Sequence, residues 1–513
     1  MVAKKIGKGI VQSTLILTVA NIINRLLGFG YRIYMSNLLG PEGMGLFQLI
    51  MPIYALAWSI SCSGFTTSVS KLVAAEKAKE QTGNMGRILK QALAITTMLG
   101  LILTVALFFL SDYLAVSMFR DERLSMALKI LSLSFPFMAA GSCIRGYFMG
   151  LQETVIPAIS QVLEQCVRMA VIYLLVASMM PRGLAYATAA AMCGIFAGEV
   201  LSFIFVILSY KGYKIKWKWI KRPTISSAES LYMLSAMAIP LTLNRISGSL
   251  LTAFENLMLP RRLVDFGMTN SEALSEFGKI SGMAMPLVQF LSALLVSLSI
   301  SLVPAVSEAM TVKNWSRISN TVSKVMLFTT ITGIGSAGVF ILLANELGEI
   351  IYNQNIAHIL ILLGIMCPFM YMQTTLSGIL NGLGEQMFIF RNALVSSAIS
   401  IAFIMFIVPR LGLNGYILGS FVGLVIICVL SLNKIRVVTR IEVNIPDWFI
   451  KPVLSSVLTV LSVGLLKQQI FDMLGSIAGL AVNLIITGLI YMILIVATGC
   501  FGRDDMKAIL GRK

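Results

Sequence analysis

The sequence predicts an all-α polytopic membrane protein with about fourteen transmembrane helices, arranged as two pseudo-symmetric six-helix lobes followed by two C-terminal helices. Three observations predict this class: the composition, the spacing of the apolar stretches and an internal repeat. Of the 513 residues, 57% are hydrophobic and only 12% are charged, whereas a soluble domain has about 25% charged residues. Since a membrane-spanning helix needs about 20 mainly apolar residues, the chain supplies roughly a dozen spans or a few more.

Apolar stretches, separated by clusters of glycine, proline and charged residues, mark the helices in order. The connections between them are too short for a nucleotide-, sugar- or metal-binding domain outside the membrane. This argues against an enzyme. The fourteen predicted helices span residues 10–35, 44–70, 88–111, 125–146, 155–179, 184–210, 230–259, 280–308, 320–344, 356–380, 387–408, 413–432, 450–466 and 475–500.

The formal net charge is +17, from 40 Lys and Arg against 23 Asp and Glu. Such a charge in a soluble protein would suggest nucleic-acid binding. Here most of the basic residues fall in connections on the same side of the membrane as the amino terminus, notably 71–90 and 211–222. By the positive-inside rule, both termini are expected in the cytoplasm. Topology and anionic lipid headgroups then explain the charge, and we expect membrane lipids rather than nucleic acid as partners.

An internal repeat relates the two halves of the chain. Because six spans is an even number, both halves are expected to have the same orientation, with a substrate between them. The predicted divisions are 1–222 (helices 1–6 and a basic loop), 223–440 (helices 7–12) and 441–513 (helices 13–14 and a tail). At an offset of 232 residues, Pro136, Phe137, Met138, Gly146, Gly150, Leu151 and Glu153 recur as Pro368, Phe369, Met370, Gly378, Gly382, Leu383 and Glu385. Gly194 and Gly198 recur as Gly419 and Gly423, and Asn24 and Arg25 recur as Asn244 and Arg245.

Ionisable residues inside the predicted spans are the candidate functional residues, because an arginine at the centre of a helix costs roughly 2.5–3.5 kcal/mol and must face protein or water. Helices 1 and 7 each carry one polar stripe at helical spacing. These stripes contain Asn21, Asn24, Arg25 and Arg32 in helix 1, and Asn244, Arg245, Thr252 and Glu255 in helix 7.

The three stripe arginines predict a cationic cavity. Arg25 has no carboxylate on its own helix, and Arg245 has only Glu255, ten residues away. Guanidinium groups bind phosphates through charge-assisted, bidentate hydrogen bonds. A water-filled cavity lined by Arg25, Arg32 and Arg245 would therefore suit an anion with several acceptor oxygens and repel an organic cation.

The remaining charges within spans have two interpretations. Glu164 and Arg168 are four residues apart and form either a self-satisfied ion pair or part of a coupling site. Glu199 and Glu255 are coupling or packing residues. The chain has one histidine and lacks the G-x-S-x-G, P-loop and H-E-x-x-H motifs, so we expect no catalytic residues, metal or cofactor.

Three motifs carry a resemblance to a known family. They are Asn24-Arg25-Leu-Leu-Gly28-Phe29 with Tyr31-Arg32, then Leu-Leu-Gly40-Pro41-Glu42-Gly43, and Gly146-Tyr-Phe-Met-Gly150-Leu-Gln152-Glu153-Thr154. On these motifs, nearly the whole chain resembles the polysaccharide-biosynthesis branch of the multidrug/oligosaccharidyl-lipid/polysaccharide exporter superfamily, and more distantly the MurJ-type lipid II flippases. Arg25 matches the first arginine of the MurJ pattern S-R-x-L-G-F-x-R-D, whereas Arg32 arrives one residue late and is followed by Ile33 in place of the aspartate.

The resemblance implies a MATE-like fold of two lobes with alternating access. It also implies a location in the bacterial cytoplasmic membrane, a cationic cavity for the pyrophosphate and sugar of a polyprenyl-linked precursor, a groove at helices 13 and 14 for the lipid tail, and a role in sporulation. We therefore expect a flippase for a lipid-linked cell-wall or polysaccharide precursor, such as lipid II, with H+ or Na+ as a possible coupling ion. The alternative is a multidrug exporter that exchanges organic cations for H+ or Na+.

Overall fold

A computed structural model describes residues 2–217, 222–439, 441 and 444–500, with side chains described for 19–213, 222–439, 441 and 444–500. The predicted basic loop at 211–222 lies partly outside these residues. Helices make up almost all of the described chain, and no strand occurs within it. By their internal packing, the residues divide into two compact units, Met1–Leu257 and Met258–Lys513.

The first unit contains seven helices and most of an eighth. Its helices are α1 (Val2–Trp58), α2 (Gly64–Ala78), α3 (Thr82–Tyr113), α4 (Leu124–Ser132), α5 (Phe135–Gly150), α6 (Val155–Met179), α7 (Leu184–Trp217) and α8 (Ser227–Asp265), with π-helical turns at Ser59–Ser63 and Leu114–Met118. Two residues of α8, Leu234 and Ala238, are fully buried in the core that α2, α3 and α5 form. The amino-terminal part of α8 thus packs with the first unit. The predicted division assigns all of α8 to the second lobe, which is expected to begin at residue 223. The predicted lobe limits stay a prediction.

A backbone break explains why the first two predicted helices form one long element. Gly40 has φ 68° and ψ −177° within α1, a conformation that glycine adopts without steric cost. Pro41 follows and lacks a backbone N–H for the helix ladder. The predicted helices 10–35 and 44–70 therefore correspond to the stretches before and after this break.

The second unit contains the last residues of α8 and eleven further helices. Three short helices, α9, α13 and α16, are absent from the predicted set because they have only nine, nine and four residues. The helices are α9 (Asn270–Gly278), α10 (Met285–Leu291), α11 (Ala293–Thr311), α12 (Trp315–Leu342), α13 (Ala344–Tyr352), α14 (Ala357–Gly382), α15 (Gln386–Phe406), α16 (Val408–Leu411), α17 (Leu413–Thr439), α18 (Lys451–Leu474) and α19 (Ser476–Ala497).

The predicted all-α membrane class is confirmed, whereas the number fourteen stays a prediction. Within the described residues, eleven helices are long and apolar enough to cross a membrane, or twelve if the bent pair α4 and α5 forms one span. One of the eleven, Val19–Ala78, contains the break at Gly40. The helix α8 is long enough to cross, with 39 residues, but it carries the polar stripe and is not among the eleven.

The sequence repeat is also a repeat of helix packing inside each unit. An ideal Cβ on Gly100 of α3 would lie 2.9 Å from the Cα of Pro136 in α5, and one on Gly333 of α12 would lie 2.7 Å from the Cα of Pro368 in α14. Such contacts are closer than real Cβ atoms permit, so each crossing requires glycine. Corresponding residues of the two crossings are 232 positions apart for the prolines and 233 positions apart for the glycines.

Two further crossings repeat in the same way. An ideal Cβ on Gly198 of α7 would lie 2.8 Å from the carbonyl oxygen of Glu164 in α6, and one on Gly423 of α17 would lie 3.5 Å from that of Ser396 in α15. These contacts make Glu164 and Ser396 equivalent positions of the two units. The predicted small-residue motif therefore sets how closely α6 and α7 approach at Gly198, and Gly423 occupies the equivalent, less crowded crossing.

Candidate substrate site and buried charge cluster

Arg25 projects from α1, which α6 holds in place. Gly28 lies against α6, where an ideal Cβ would be 3.9 Å from Nε2 of Gln165. The Tyr34 hydroxyl donates a hydrogen bond to the carbonyl of Tyr173 at 3.3 Å. The Arg25 side chain is exposed, and it makes no ion pair or hydrogen bond with any residue that the structure describes. Its guanidinium is therefore available to a ligand.

Arg245 occupies a similar environment on α8. The hydroxyls of Ser249 on α8 and Ser59 in the π-helical turn are 2.6 Å apart. Gly64 at the start of α2 lies so close to Thr242 and Ala238 of α8 that a Cβ there would clash with both. These contacts anchor α8 to the first unit, whereas the Arg245 side chain is exposed and has no ionic or hydrogen-bonding partner in the described part of the chain.

The other residues of the two stripes differ in exposure. Asn21, Asn244 and Thr252 are exposed, whereas Asn24, Arg32 and Glu255 are half-buried. The Oδ1 atom of Asn24 is buried and, among the described residues, has no hydrogen-bond partner. The stripe residues of α1 and α8 thus provide exposed arginines, amides and a hydroxyl in the first unit.

A second polar group, the charge cluster, lies inside the first unit and comprises Tyr54, Arg145, Glu164, Arg168 and Glu199; Glu199 is buried and the other four are half-buried. Glu164 accepts from Arg168 at 2.6 Å and lies 3.7 Å from the guanidinium of Arg145. Arg145 also donates to the hydroxyl of Ser202 at 3.0 Å. The side chains of Arg145, Glu164 and Arg168 are 11%, 17% and 19% exposed, so α5, α6 and α7 share these charges inside the unit.

Glu199 has a different environment within the same cluster. It is 2% exposed, and its Oε1 accepts a hydrogen bond from the Tyr54 hydroxyl at 2.5 Å. Its Oε2 is buried and has no hydrogen-bond partner among the described atoms. Glu164, Arg145 and Arg168 are its charged neighbours. Two carboxylates thus occupy one cluster, but only Glu164 is directly paired with arginine.

Sequence reasoning missed Arg145 and Tyr54. Arg145 is not among the candidate residues, although it lies one residue before the end of the fourth predicted helix, 125–146; α5 continues to Gly150 and encloses this side chain. Tyr54 lies 145 positions from Glu199 along the chain, so no local pattern relates them. The repeat does contain a signal: Arg145 aligns with Ser377 at the offset of 232, which marks a charge present in only one half.

An apolar groove of about 580 Å³ runs between α1 and α6. The lining residues that the structure describes are all uncharged. The residues are Val19, Ala20 and Ile23 of α1 with Ala158, Ile159, Val162, Leu163 and Cys166 of α6. This groove differs from the lipid-tail groove that the resemblance implies at predicted helices 13 and 14, which correspond to α18 and α19. Many apolar side chains of α18 and α19 are exposed, and the lipid-tail groove stays a prediction.

The chain is similar to two curated proteins of Bacillus subtilis (strain 168). It is 29% identical to Stage V sporulation protein B over 509 residues, which cover 97% of each chain. It is 24% identical to Lipid II flippase MurJ over 448 residues, which cover 81% of this chain and 80% of the relative. These similarities extend over most of both units.

Solved structures of two kinds of transporter share the fold. A structure of lipid II flippase MurJ in an inward closed conformation has a TM-score of 0.71 at 15% identity and covers 96% of this chain and 99% of its own. An inward-facing multidrug resistance MATE family transporter of the MOP superfamily has a TM-score of 0.67 at 14% identity and covers 81% and 94%. The predicted MATE-like fold is confirmed.

The sequence profile of the family described as "Polysaccharide biosynthesis protein" matches residues 10–310, more than half of the chain. This match agrees with the resemblance carried by the motifs around Arg25, Gly40 and Gly150. The chain is therefore a multi-pass membrane protein that belongs to the polysaccharide biosynthesis protein family.

Proposed function

We propose that the chain is a flippase that moves an anionic polyprenyl-pyrophosphate-linked precursor from the cytoplasmic to the outer leaflet by alternating access. The precursor we favour is lipid II, used for the peptidoglycan of the spore cortex. The sequence relatives named for sporulation and for lipid II flipping support this assignment. The proposed activity is transport, with no covalent step.

The observation that carries the proposal is the pair of exposed arginines on two helices of an apolar unit. Each such arginine costs roughly 2.5–3.5 kcal/mol to insert at the centre of a span. Elsewhere in this unit, Arg145 and Arg168 have carboxylate partners. Arg25 and Arg245 have none among the residues described, so an anionic ligand is the partner that would balance their charge. A pyrophosphate, with its several acceptor oxygens, suits two guanidinium forks.

The remaining stripe residues have proposed roles in the same site. Arg32 assists in holding the pyrophosphate. Asn21, Asn24, Asn244 and Thr252 contact the sugar or the phosphates, because amides and hydroxyls both donate and accept hydrogen bonds. The Oδ1 of Asn24, which has no partner among the described residues, is an acceptor for a sugar hydroxyl.

The proposed topology gives the transport step a direction. With both termini in the cytoplasm, the anionic lipid moves outward, away from the negative side of an inside-negative membrane potential. Each negative charge that crosses then gains roughly 2.3 kcal/mol per 100 mV. The membrane potential is sufficient to drive the step, and a coupling ion adds to it.

A binding experiment tests the proposal. Native mass spectrometry compares the full chain with its Arg25→Ala and Arg245→Ala variants, each mixed with undecaprenyl pyrophosphate-linked precursor. Arg182→Ala is the matched control, since Arg182 is an exposed arginine of the first unit that lies in the turn between α6 and α7. We expect both test variants to weaken binding by tenfold or more, which is about 1.4 kcal/mol, and the control to bind as wild type.

The second candidate function is a multidrug exporter, which the structural similarity to a MATE family transporter favours. A lipophilic cation added to the same binding experiment distinguishes it. Binding of the cation, together with precursor binding that is unaffected by both arginine substitutions, would reject the flippase and support the exporter.

A further inference from the structure

The charge cluster is not required by the packing of its helices. The second unit repeats the same helix crossings, with Gly423 against Ser396 where the first unit has Gly198 against Glu164. By the offsets of 232 and 225, the cluster positions Arg145, Glu164, Arg168 and Glu199 correspond to Ser377, Ser396, Ser400 and Leu424. One copy of the fold therefore forms these crossings without charge.

Buried charges are expensive, so their presence in one copy requires another explanation. Removing an ionised group from water costs several kcal/mol even after relaxation. The two arginines and two glutamates balance formally, but the contacts are unequal. Glu164 lies beside both guanidinium groups, whereas Glu199 has one hydroxyl on Oε1 and no partner, within the described residues, on Oε2.

We infer that Glu199 is a proton-binding site and that its protonation is coupled to binding of the anionic lipid. The proton binds Oε2 from water and returns to water, while the Tyr54 hydroxyl positions the carboxyl group through Oε1. The titratable and charged groups facing Glu199 are Tyr54 of α1, Cys62 of the π-helical turn, Arg145 of α5, and Glu164 and Arg168 of α6. This inference rests on the proposed flippase function for its ligand, but not for the proton site itself.

The charge balance gives the coupling its sign. With Glu199 ionised, the four charges of the cluster sum to zero. With Glu199 protonated, they sum to +1 in the unit that also carries Arg25 and Arg245. The added positive charge favours an anionic ligand, and linkage requires that ligand binding in turn favours protonation.

The first arm of the test measures the proton site without any lipid. Infrared spectroscopy of the detergent-solubilised full chain follows the band of a protonated carboxyl group during a pH titration. As the pH rises, wild type should lose one buried carboxyl band, and Glu199→Gln should lack this band at every pH. The matched control Glu308→Gln, at an exposed ion pair of the second unit, should show the band and lose it as wild type does.

The second arm measures lipid binding by native mass spectrometry at several pH values. We expect wild type and Glu308→Gln to bind the precursor more tightly as the pH falls, by the 5- to 150-fold typical of coupled sites. Glu199→Gln, which is permanently neutral, should bind tightly at every pH and lose this dependence. Tyr54→Phe should keep the dependence but shift its midpoint, because it removes only the hydrogen bond to Oε1.

Each outcome has one meaning. An infrared titration that is identical in wild type and Glu199→Gln overturns the proton site. A normal titration with pH-dependent binding that Glu199→Gln retains overturns the coupling. If no chain binds the precursor but the Glu199 band still titrates, the flippase proposal fails and the proton site stands.

Folding of the variants is checked separately. A variant with the second unit's residues at all four charged positions, R145S/E164S/R168S/E199L, removes every charge together. We expect it to fold and to lose the titrating band. If this variant unfolds although its helix crossings match those of the second unit, the cluster is structural and the inference is wrong.

Discussion

The two units pack their helices alike and differ in their polar residues. In the first unit, Thr96 of α3 contacts Cys143 of α5 at 3.3 Å, and in the second, Thr329 of α12 contacts Thr375 of α14 at 2.8 Å. Corresponding residues of these two contacts are 232 or 233 positions apart in the sequence, as they are in the glycine crossings. The first unit alone adds the charge cluster and carries both exposed arginines. Small residues therefore determine the shared fold, and charged residues added to one copy account for the proposed chemistry.

The largest expected effect comes from breaking the charge balance of the first unit. Arg168→Ser introduces the residue of the equivalent position in the second unit, but it leaves Glu164 without its 2.6 Å partner. Removal of one partner from a buried pair costs about 3–5 kcal/mol. We expect a correspondingly large fall in the unfolding temperature in detergent, measured by differential scanning fluorimetry.

The control for this prediction is in the other unit. Ser400→Ala, at the equivalent position, removes no charge and should change the free energy of unfolding by no more than about 1 kcal/mol. Equal effects of Arg168→Ser and Ser400→Ala would contradict the difference drawn between the units.

A somewhat smaller effect should be shared by both units. An ideal Cβ on Gly146 would lie 2.6 Å from the carbonyl oxygen of Thr66, and one on Gly378 would lie 2.7 Å from that of Ser299. Gly146→Ala and Gly378→Ala must therefore push two helices apart, at a cost of about 1–3 kcal/mol each. Thermal unfolding should show similar losses for the two variants.

Two other helical glycines provide matched controls. Gly86 of α3 and Gly488 of α19 have open space where a Cβ would lie. Gly86→Ala and Gly488→Ala should be neutral or stabilising by up to about 1 kcal/mol, because alanine favours a helix over glycine. A large loss at Gly146 with none at Gly378 would show that the packing repeat is only approximate.

A still smaller effect is expected at the equivalent polar contacts, one inside each unit. Thr329→Val removes the hydrogen bond to Thr375 and leaves that hydroxyl buried. The expected cost is about 1–3 kcal/mol for the unsatisfied group, at the lower end because the Thr375 hydroxyl can turn to its own helix. Thr96→Val should cost less, since the sulfur of Cys143 is a weak hydrogen-bonding group. The unfolding temperatures of the two variants, together with Thr375→Val, test this order.

The smallest expected effect on stability belongs to the two exposed arginines. Since neither has a described ionic or hydrogen-bonding partner, Arg25→Ala and Arg245→Ala should change the free energy of unfolding by no more than about 0.5 kcal/mol. Calorimetry without lipid checks this. A loss of several kcal/mol would mean that the arginines stabilise the fold, which would remove the argument for a ligand.

The sequence allowed the helical class, most helix positions and the repeat to be predicted, because these depend on local hydropathy and on glycines and prolines at fixed offsets. It also identified Arg25, Arg245, Glu164, Arg168 and Glu199 as charges inside spans. It did not allow the charge cluster to be assembled, since Tyr54 and Glu199 meet only through helix packing. Nor could it distinguish Glu164 from Glu199, because both are glutamates within apolar helices, and their partners and exposed fractions depend on how the helices pack.

The most direct test of the central claim is transport in proteoliposomes, with an inside-negative potential and fluorescent undecaprenyl pyrophosphate-linked precursor. Loss of fluorescence to a quencher that cannot cross the membrane would report movement between leaflets. We predict flipping by wild type and Arg182→Ala, with at least a tenfold lower rate for Arg25→Ala and for Arg245→Ala. Flipping at wild-type rates by both of these variants would contradict the account, because the two arginines would then not hold the lipid.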